Sequence, residues 1–231
     1  MKDAKNSIRK LKKTVFHILC QNDCDRAVSQ ITSLPLRSVV NPLFSFFYHS
    51  DEIIRWHVIT AMGAVAARLA DEDIKAARVV MRRLIWNLND ESGGIGWGSP
   101  EALGEIMARS RRLAKEYAFL LVSYIDPNGN YIEYDMLQRG VLWGLGRLAH
   151  ARPQLVRQAP PLLIPYLHSP DDILKGLAIW IAGAFENNHE LHPLIESFTA
   201  DCAAIKLFAN QKLIEISISQ LAAAALAQSR D

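Results

Sequence analysis

The sequence predicts an all-α fold in which helix pairs stack into an α-α superhelix, an α-solenoid. Half of the 231 residues are hydrophobic, and alanine and leucine, which favour helices, are abundant among them. Related segments recur about every 40 residues, the period that stacked helix pairs produce. Purely apolar runs such as Leu177–Phe185 are far shorter than the roughly 20 residues of a membrane span. We therefore expect no membrane partner.

The repeat is clearest in two segments that align without a gap, Asp135–Gly146 and Asp172–Gly183. Each begins with an aspartate, has tryptophan in its ninth place and ends with glycine. Glycines at the same place in successive repeats, positions 63, 104, 146 and 183, are spaced 41, 42 and 37 residues apart. Glycine inside a helix costs about 1 kcal/mol relative to alanine. Its recurrence at mid-helix positions predicts that a neighbouring helix approaches too closely for a side chain.

Hydrophobic spacing and turn residues then place the helices along the chain. The predicted helices cover residues 6–19, 26–34, 35–48, 51–70, 72–88, 100–108, 111–125, 133–149, a segment that restarts at 160–161 and ends at 167, 170–186 and 191–198. We expect one repeat domain over residues 1–231. It comprises an N-terminal pair at 1–34, further helix pairs at 35–199 and a C-terminal cap at 200–231.

The tail departs from the helical pattern. Apolar and polar residues alternate in Ala204–Phe208 and in Lys212–Ile216, which predicts two short strands joined at residues 209–211. Ser217 and Gln220 have the spacing of a capping box and precede an alanine-rich helix over Leu221–Ala227. A small β-hairpin and a last helix are thus predicted to cap the superhelix.

Charge is distributed unevenly along the chain. Residues 1–13 contain six Lys or Arg and one acid, a net charge of +5, whereas the remainder has 20 basic and 23 acidic residues, a net charge of −3. The basic segment indicates either an anionic partner at this end or simply a solvated helix face. Only the seven residues of Thr14–Cys20 follow it as an apolar stretch, too short for a secretory signal. We therefore expect a cytoplasmic protein.

The three cysteines are an odd number, which argues against a disulfide framework. His17, Cys20 and Cys24 have helical spacing, but a metal site would need a further ligand. The interpretation we favour is that these thiols are inert, so neither a metal nor a cofactor is expected.

Two groups of motifs resemble known repeats. The segment Leu163–Leu167 followed by His168-Ser-Pro-Asp-Asp and Ile173–Gly183 resembles a HEAT repeat, and so does Leu43–Phe47 followed by His49-Ser-Asp and Ile54–Gly63. The combination of Leu88–Ile106 with Arg139–Leu148 is similar to a family of bacterial HEAT-like repeat proteins of unknown function, loosely of the phycobilisome-lyase type. This resemblance covers most of residues 40–228. It implies an α-solenoid and brings no catalytic residue with it.

Two consecutive turns inside helix pairs are enlarged, Asp90–Ser99 with four glycines and Asp126–Glu133. Connections between helices usually take about 2–8 residues. In a solenoid such turns align along one edge, so we expect these two to be neighbours in space. The candidate binding residues are Asp90, Glu91, Trp97, Glu101, Asp126, Asn128, Asn130, Tyr131 and Glu133. These acidic and aromatic side chains would suit a basic or amphipathic peptide. Alternatively, Trp97 is a structural anchor and the carboxylates cap exposed amides.

The glycine-rich turn also precedes a predicted helix start, with Ser99 as N-cap and Pro100 in the first turn. A glycine-rich helix start suggests phosphate binding. However, the turn follows a helix instead of a strand and lacks the Lys-Ser/Thr of a P-loop. Glu101 and Glu105 would also repel an anion. These features argue against a nucleotide site.

An enzymatic alternative remains open. Some alkylpurine DNA glycosylases are built from HEAT-like repeats, and Trp86 and Asp90 lie four residues apart, so that one helix face could present both. The mildly acidic body lacks the basic surface that phosphate neutralisation requires. Nucleic acid is therefore the less favoured partner. The sequence favours a non-enzymatic scaffold that binds a protein or peptide.

Overall fold

The computed structural model describes residues 2–89, 96–186 and 190–228, with the side chains of residues 2–5 and 89 excepted. The chain divides into two compact units, Met1–Leu113 and Ala114–Asp231. The boundary between them falls inside a helix, Arg111–Ser123. The predicted organisation as one domain with boundaries after residues 34 and 199 is a different division and stays a prediction.

The first unit is built from helices. Their bounds are α1 Lys2–Leu19, α2 Cys24–Thr32, α3 Leu36–Phe44, α4 Glu52–Glu72, α5 Ile74–Asn89, α6 Ser99–Arg109 and the start of α7 Arg111–Ser123. The predicted helices of this part are confirmed, with ends that differ by four residues or fewer.

The long helix α4 is the centre of the first unit, because α2, α3, α5 and α6 all pack against it. Val58, Met62 and Val65 are completely buried along its length. Among the described helices, α4 is long and apolar enough to cross a membrane, but 67% of that stretch is buried inside the protein. Its composition is therefore that of a core helix. It begins where the Asp51 carboxylate accepts the backbone N–H groups of Ile53 and Ile54.

The start of α6 differs from the prediction. The N-cap is Gly98, in the left-handed region with φ of 75°, and Ser99 is already helical. A Cβ at Gly98 would stand 2.9 Å from the ring of Phe47, so both its backbone conformation and its surroundings favour glycine. Ser99 is completely buried, and its hydroxyl receives a hydrogen bond from the Asn87 side chain at 3.3 Å. The serine thus ties α6 to α5 instead of capping its own helix.

The second unit combines helices with a small antiparallel sheet. Its elements are the rest of α7, α8 Asp135–Ala151, α9 Ile164–Leu167, α10 Asp172–Ala182, α11 His192–Glu196, β1 Ala204–Ala209, β2 Lys212–Ser217 and α12 Ile218–Gln228, with 3₁₀ turns at Pro153–Leu155 and Pro160–Leu163. The predicted restart at residue 160 is therefore a 3₁₀ turn that leads into one turn of α-helix.

Two recurring glycines occupy different places in their helices. Gly146 lies inside α8, where an added Cβ would be 2.6 Å from Cε3 of Trp180. Gly183 is the C-cap of α10, which ends four residues before the predicted end at Glu186. Its predicted mid-helix position is wrong. The close approach itself is confirmed, since a Cβ at Gly183 would lie 3.2 Å from the backbone of Ala225 in α12.

The predicted hairpin and capping box are both confirmed. Strands β1 and β2 pair antiparallel, with Ile205 opposite Ile216 and Phe208 opposite Leu213. Asn210 and Gln211 take positive φ values of 49° and 61° in the two-residue turn, as tight hairpins require. The Ser217 hydroxyl accepts the N–H of Gln220 at 3.2 Å, and the Gln220 side chain accepts the N–H of Ser217 at 3.0 Å.

Candidate functional site

The described part of the first enlarged turn begins at Gly96. Asp90 and Glu91, together with two of the four glycines, lie outside the described residues. Gly96 is buried, and an added Cβ would be 2.7 Å from the carbonyl oxygen of Asn87. The end of the turn therefore packs closely against the end of α5. This packing explains the glycine at position 96 without a ligand.

Trp97 follows and is the main exposed aromatic residue of this turn. Its side chain is 38% exposed, and its ring centroid lies 6.4 Å from that of Tyr48, which is 51% exposed. Gly98 packs on Phe47, so it holds the turn against the segment that contains Tyr48. The Trp97 side chain thus packs partly against the protein and is partly exposed to solvent. The aromatic pair that it forms with Tyr48 was not predicted from the sequence.

Glu101 lies in the first turn of α6, four residues after Trp97. Its Oε2 atom is buried and has no hydrogen-bond partner. Burial raises the pKa of its carboxyl to about 7, although its own backbone N–H and the Arg55 guanidinium favour the charged form. An unpaired buried carboxylate is costly. Glu101 is therefore a carboxyl that changes its charge near neutral pH.

The second enlarged turn, residues 126–133, belongs to the second unit. The Asp126 carboxylate accepts the backbone N–H of Asn128 at 2.9 Å, and the Asn130 side chain donates to the Ser123 hydroxyl at 3.2 Å. A Cβ at Gly129 would be 2.8 Å from the carbonyl oxygen of Ser123. Asp126 thus caps an amide within the turn, as the structural alternative predicts, and Asn130 holds the turn to the end of α7.

The remaining candidate residues of this turn, Asn128, Tyr131 and Glu133, have exposed side chains. Tyr131 is 44% exposed. The sequence interpretation missed two exposed apolar neighbours, Tyr134 and Met136, which are 49% and 48% exposed. These residues extend the exposed apolar surface into the start of α8. Their position next to an enlarged turn was the only signal that could have identified them.

A buried network of polar groups, centred on Gln138 in α8, forms hydrogen bonds with the backbone at both ends of the second turn. Gln138 donates to the carbonyl oxygens of Tyr124, at 3.0 Å, and of Ile132. Its side-chain oxygen accepts the hydroxyl hydrogen of Tyr166 at 2.7 Å. Burial, followed by the nearby Tyr131 hydroxyl, raises the pKa of Tyr166 above its usual range. The network therefore links the turn to α8 and α9 through uncharged groups.

Arg55, Gln138 and Lys175 each lie eight residues before a recurring glycine, and this shared place in the repeat predicts that they bond the turns that precede them. The prediction is confirmed for Arg55, which donates to the carbonyl oxygen of His49 at 2.8 Å, and for Gln138. Lys175 instead pairs with Asp172 at 2.8 Å and Asp201 at 3.7 Å. Arg55 and Gln138 thus support the preceding turns, whereas Lys175 joins the first turn of α10 to the loop at Asp201.

The enzymatic alternative rests on Trp86 and Asp90, and two further tryptophans, Trp143 and Trp180, recur at one place in the repeat. Trp86 is 70% exposed on α5, and Asp90 lies outside the described residues. Trp143 is buried, and its ring centroid lies 6.3 Å from that of Trp180. Trp143 and Trp180 are packing residues, as their shared place in the repeat predicts.

An apolar hollow of about 210 Å³ lies in the second unit. It is lined mainly by Trp180, Leu207, Ile214, Ile216, Leu221 and Ala225. The imidazole of His150 stacks on Trp180 at a centroid distance of 5.1 Å, and desolvation lowers the pKa of that imidazole. Nearly all the lining side chains are apolar. The hollow therefore provides few polar side chains that could bind a polar substrate or react with it.

Within the described ranges, no three or more His, Cys, Asp or Glu side chains are grouped as metal ligands. Cys20 is exposed and Cys24 is buried. Burial raises the pKa of the Cys24 thiol to about 11. That thiol is therefore protonated at neutral pH and a poor nucleophile.

Comparison with solved structures identifies the class of fold. A computationally designed armadillo repeat protein for modular peptide recognition superposes with a TM-score of 0.56 at 15% identity, covering 99% of this chain and 94% of that one. A designed armadillo repeat protein in complex with the peptide (KR)4 gives a TM-score of 0.53 at 14% identity, covering 94% of this chain and 98% of that one. The protein has an all-α, armadillo-like helical repeat fold with a C-terminal β-hairpin.

Comparison of sequences does not take the identification further. An uncharacterized protein of the archaeon Archaeoglobus fulgidus is 29% identical over 119 residues, which are 52% of this chain and 56% of the relative. The chain thus spans only about half the length of the curated relative that it matches. No family model matches the chain.

Proposed function

We propose that the protein is a non-enzymatic, HEAT-like repeat scaffold that binds a protein or peptide partner through its enlarged turns, 90–99 and 126–133. The observation that carries the proposal is the exposed aromatic pair Trp97–Tyr48, with the buried Oε2 atom of Glu101 four residues further along the chain. Tyrosine and tryptophan are the residue types on which binding energy at protein interfaces concentrates. The second turn adds the exposed side chains of Tyr131 and Glu133. Gln138 supports the backbone of this turn through the carbonyl oxygens of Tyr124 and Ile132.

The chemistry of these side chains favours a basic peptide. Aromatic faces attract ammonium and guanidinium groups, and carboxylates pair with them. Two of the similar solved structures are designed armadillo repeat proteins linked to peptide binding, one of them in complex with (KR)4. Their likeness supports the fold as a peptide scaffold. The choice of ligand rests on the acidic and aromatic side chains of this chain.

Three further points belong to the proposal. The chain is a member of the bacterial HEAT-like repeat family that its motifs resemble, it functions in the cytoplasm, and residues 1–231 act as one repeat domain. The sequence motifs support the first point and the unpaired thiols support the second. The recurrence of the repeat in both compact units supports the third.

A labelled peptide of four Lys-Arg repeats tests the proposal, with a Ser-Gln peptide of equal length as the neutral control. We expect the basic peptide to bind the full chain and the neutral one to bind weakly or not at all. The double variant Trp97→Ala with Glu101→Gln should lose the binding, keep its helical content and melt no lower than the wild type. Fluorescence anisotropy with parallel circular dichroism measures both properties.

Trp86→Ala provides the matched control, because Trp86 is an exposed tryptophan of the same unit that lies outside the proposed site. This variant should bind the basic peptide as the wild type does. Retained binding in the double variant, or an equal loss in Trp86→Ala, would contradict the proposed site. Lost binding together with a large drop in melting temperature would show that Trp97 is a structural anchor.

A further inference from the structure

Helix α1 is only partly covered by the rest of the first unit. Val15, Ile18 and Leu19 are buried against α3 and α2. Residues 6–10 and 12–14 are exposed, and Leu11 is half-buried. More than two turns of this helix thus lie on the surface. These outer turns therefore gain little stability from packing against the rest of the unit.

The exposed turns continue the apolar stripe of the buried ones. Ile8, Leu11, Val15 and Ile18 follow each other at intervals of three, four and three residues. This is the spacing of the a and d positions in a helix that pairs with another helix. The body of the unit buries Val15 and Ile18, whereas Ile8 is 65% exposed. The outer half of the stripe therefore has room for a partner.

Apart from Ile8 and Leu11, all residues of the exposed turns 6–14 are polar. They are Asn6, Ser7, Arg9, Lys10, Lys12, Lys13 and Thr14. Among the described side chains, Arg9, Lys10 and Lys13 have no ion-pair partner, and Lys12 lies over the Phe46 ring at 5.2 Å from its centroid. With Ile8 at an a position, Lys12 occupies the flanking e position, Arg9 and Lys10 occupy the outer b and c positions, and the uncharged Ser7 and Thr14 occupy g.

The width of the apolar stripe indicates whether α1 fits an anionic membrane or an acidic partner helix. A stripe restricted to a and d positions is the narrow seam of a helix pair, while a surface-seeking membrane helix presents a wider apolar face. Only Ile8 and Leu11 would enter a bilayer from the exposed turns. A partner helix needs no more than such a seam, provided that its flanks carry opposite charge.

We propose that residues 6–14 of α1 pair with an acidic amphipathic helix of a partner protein. Ile8 and Leu11 pack into its apolar seam, Lys12 faces its carboxylates from the e position, and Arg9 and Lys10 add positive charge on the outer face of α1. This surface is separate in sequence from the enlarged turns, so it would recruit a second partner of opposite charge preference. Complementary charge selects the partner, because the exposed turns of α1 are basic.

A synthetic helix tests the inference directly. The probe is a labelled peptide of three heptads with Leu at a and d and Glu at e and g, and its counterpart has Lys at e and g. We expect the full chain to bind the acidic peptide and not the lysine peptide, with binding that weakens as salt is raised. Amide chemical shifts should change within residues 6–14.

Two pairs of variants place the peptide on the predicted face. Ile8→Asp puts a negative charge in the seam, and Asn6→Asp puts the same charge on the opposite face of α1. Lys12→Gln removes a flanking charge, and Lys13→Gln removes one from the far side. We expect the first member of each pair to weaken binding about fivefold or more, and the second to change it by less than about twofold, since only flanking charges oppose the partner. Thermal melts should show that all four variants fold.

Three results would overturn the inference. One is binding to phosphatidylserine vesicles without binding to the acidic peptide, and another is self-association that Ile8→Asp abolishes. Equal losses within either pair of variants would be the third. The test is independent of the proposed function, because Trp97→Ala should leave acidic-peptide binding unchanged.

Discussion

The indole nitrogen of Trp143 in α8 donates a hydrogen bond to the carbonyl oxygen of Phe208 in β1 at 2.9 Å. The two rings also lie 6.3 Å apart, and both residues are buried. The bond joins residues 65 positions apart in the chain. It attaches the β-hairpin to the helical body of the second unit, so the hairpin is part of the folded structure instead of an appended loop.

Replacing Trp143 with Phe should therefore destabilise the protein. The change removes the only N–H of the side chain and leaves the Phe208 carbonyl without this donor in a buried setting, which costs about 1–3 kcal/mol. Urea unfolding measures the free energy. Trp86→Phe is the control, because Trp86 is 70% exposed, and surface substitutions usually stay within about 0.5 kcal/mol. Equal stability of the two variants would show that the bond contributes little.

Gly183→Leu should also destabilise the second unit. A Cβ at this position already lies 3.2 Å from Cα and Cβ of Ala225, so the larger side chain would push α12 away from α10. Such overpacking typically costs about 1–3 kcal/mol. Ala223→Leu, on an exposed face of α12, should melt like the wild type. An unchanged or raised melting temperature for Gly183→Leu would refute the close approach.

Removing residues 204–228 should uncover the apolar surface of α10. The hairpin and α12 both pack on this helix, where Ile205 reaches Gly176 and where Leu174, Leu177 and Ile181 are buried. Exposed apolar patches of this kind cause association. We expect the truncated chain to aggregate or to bind a hydrophobic dye. A truncated chain that stays monomeric and melts cooperatively would refute the capping role.

Glu101 should make stability depend on pH. Its carboxyl has a pKa near 7 in the folded chain and an ordinary value of 4.5. Between these values the folded chain holds a proton that the unfolded chain has lost, so stability falls as pH rises from about 4.5 to 7. Glu101→Gln should remove this fall. Its advantage over the wild type should grow by about 1–3 kcal/mol from pH 5 to pH 8.

Glu133→Gln is the control for this prediction, because the Glu133 side chain is exposed in the second turn. Its stability relative to the wild type should stay the same across the pH range. Unfolding at pH 5 and pH 8 in parallel compares the two variants. A pH-independent difference for Glu101→Gln would mean that the carboxyl is charged in the folded chain at both pH values.

The sequence by itself determined the features that depend on residues close together in the chain or on a regular period. Hydrophobic spacing and the recurring Trp-x-x-Gly pattern predicted the helices and the repeat fold. The capping box predicted the start of α12, because Ser217 and Gln220 are only three residues apart and satisfy each other. The alternation of apolar and polar residues predicted β1 and β2, because this pattern also depends only on residues that are close together in the chain.

The tertiary structure alone decided how distant residues meet. Phe47 and the left-handed Gly98 define the start of α6, which is why Ser99 is not the cap. Trp97 meets Tyr48 although 49 positions separate them. The body of the first unit covers Val15 in α1 and leaves Ile8 exposed. Local patterns state which residues prefer burial. Which of them are buried depends on the limited area that other helices can cover, and packing across the whole unit sets that area.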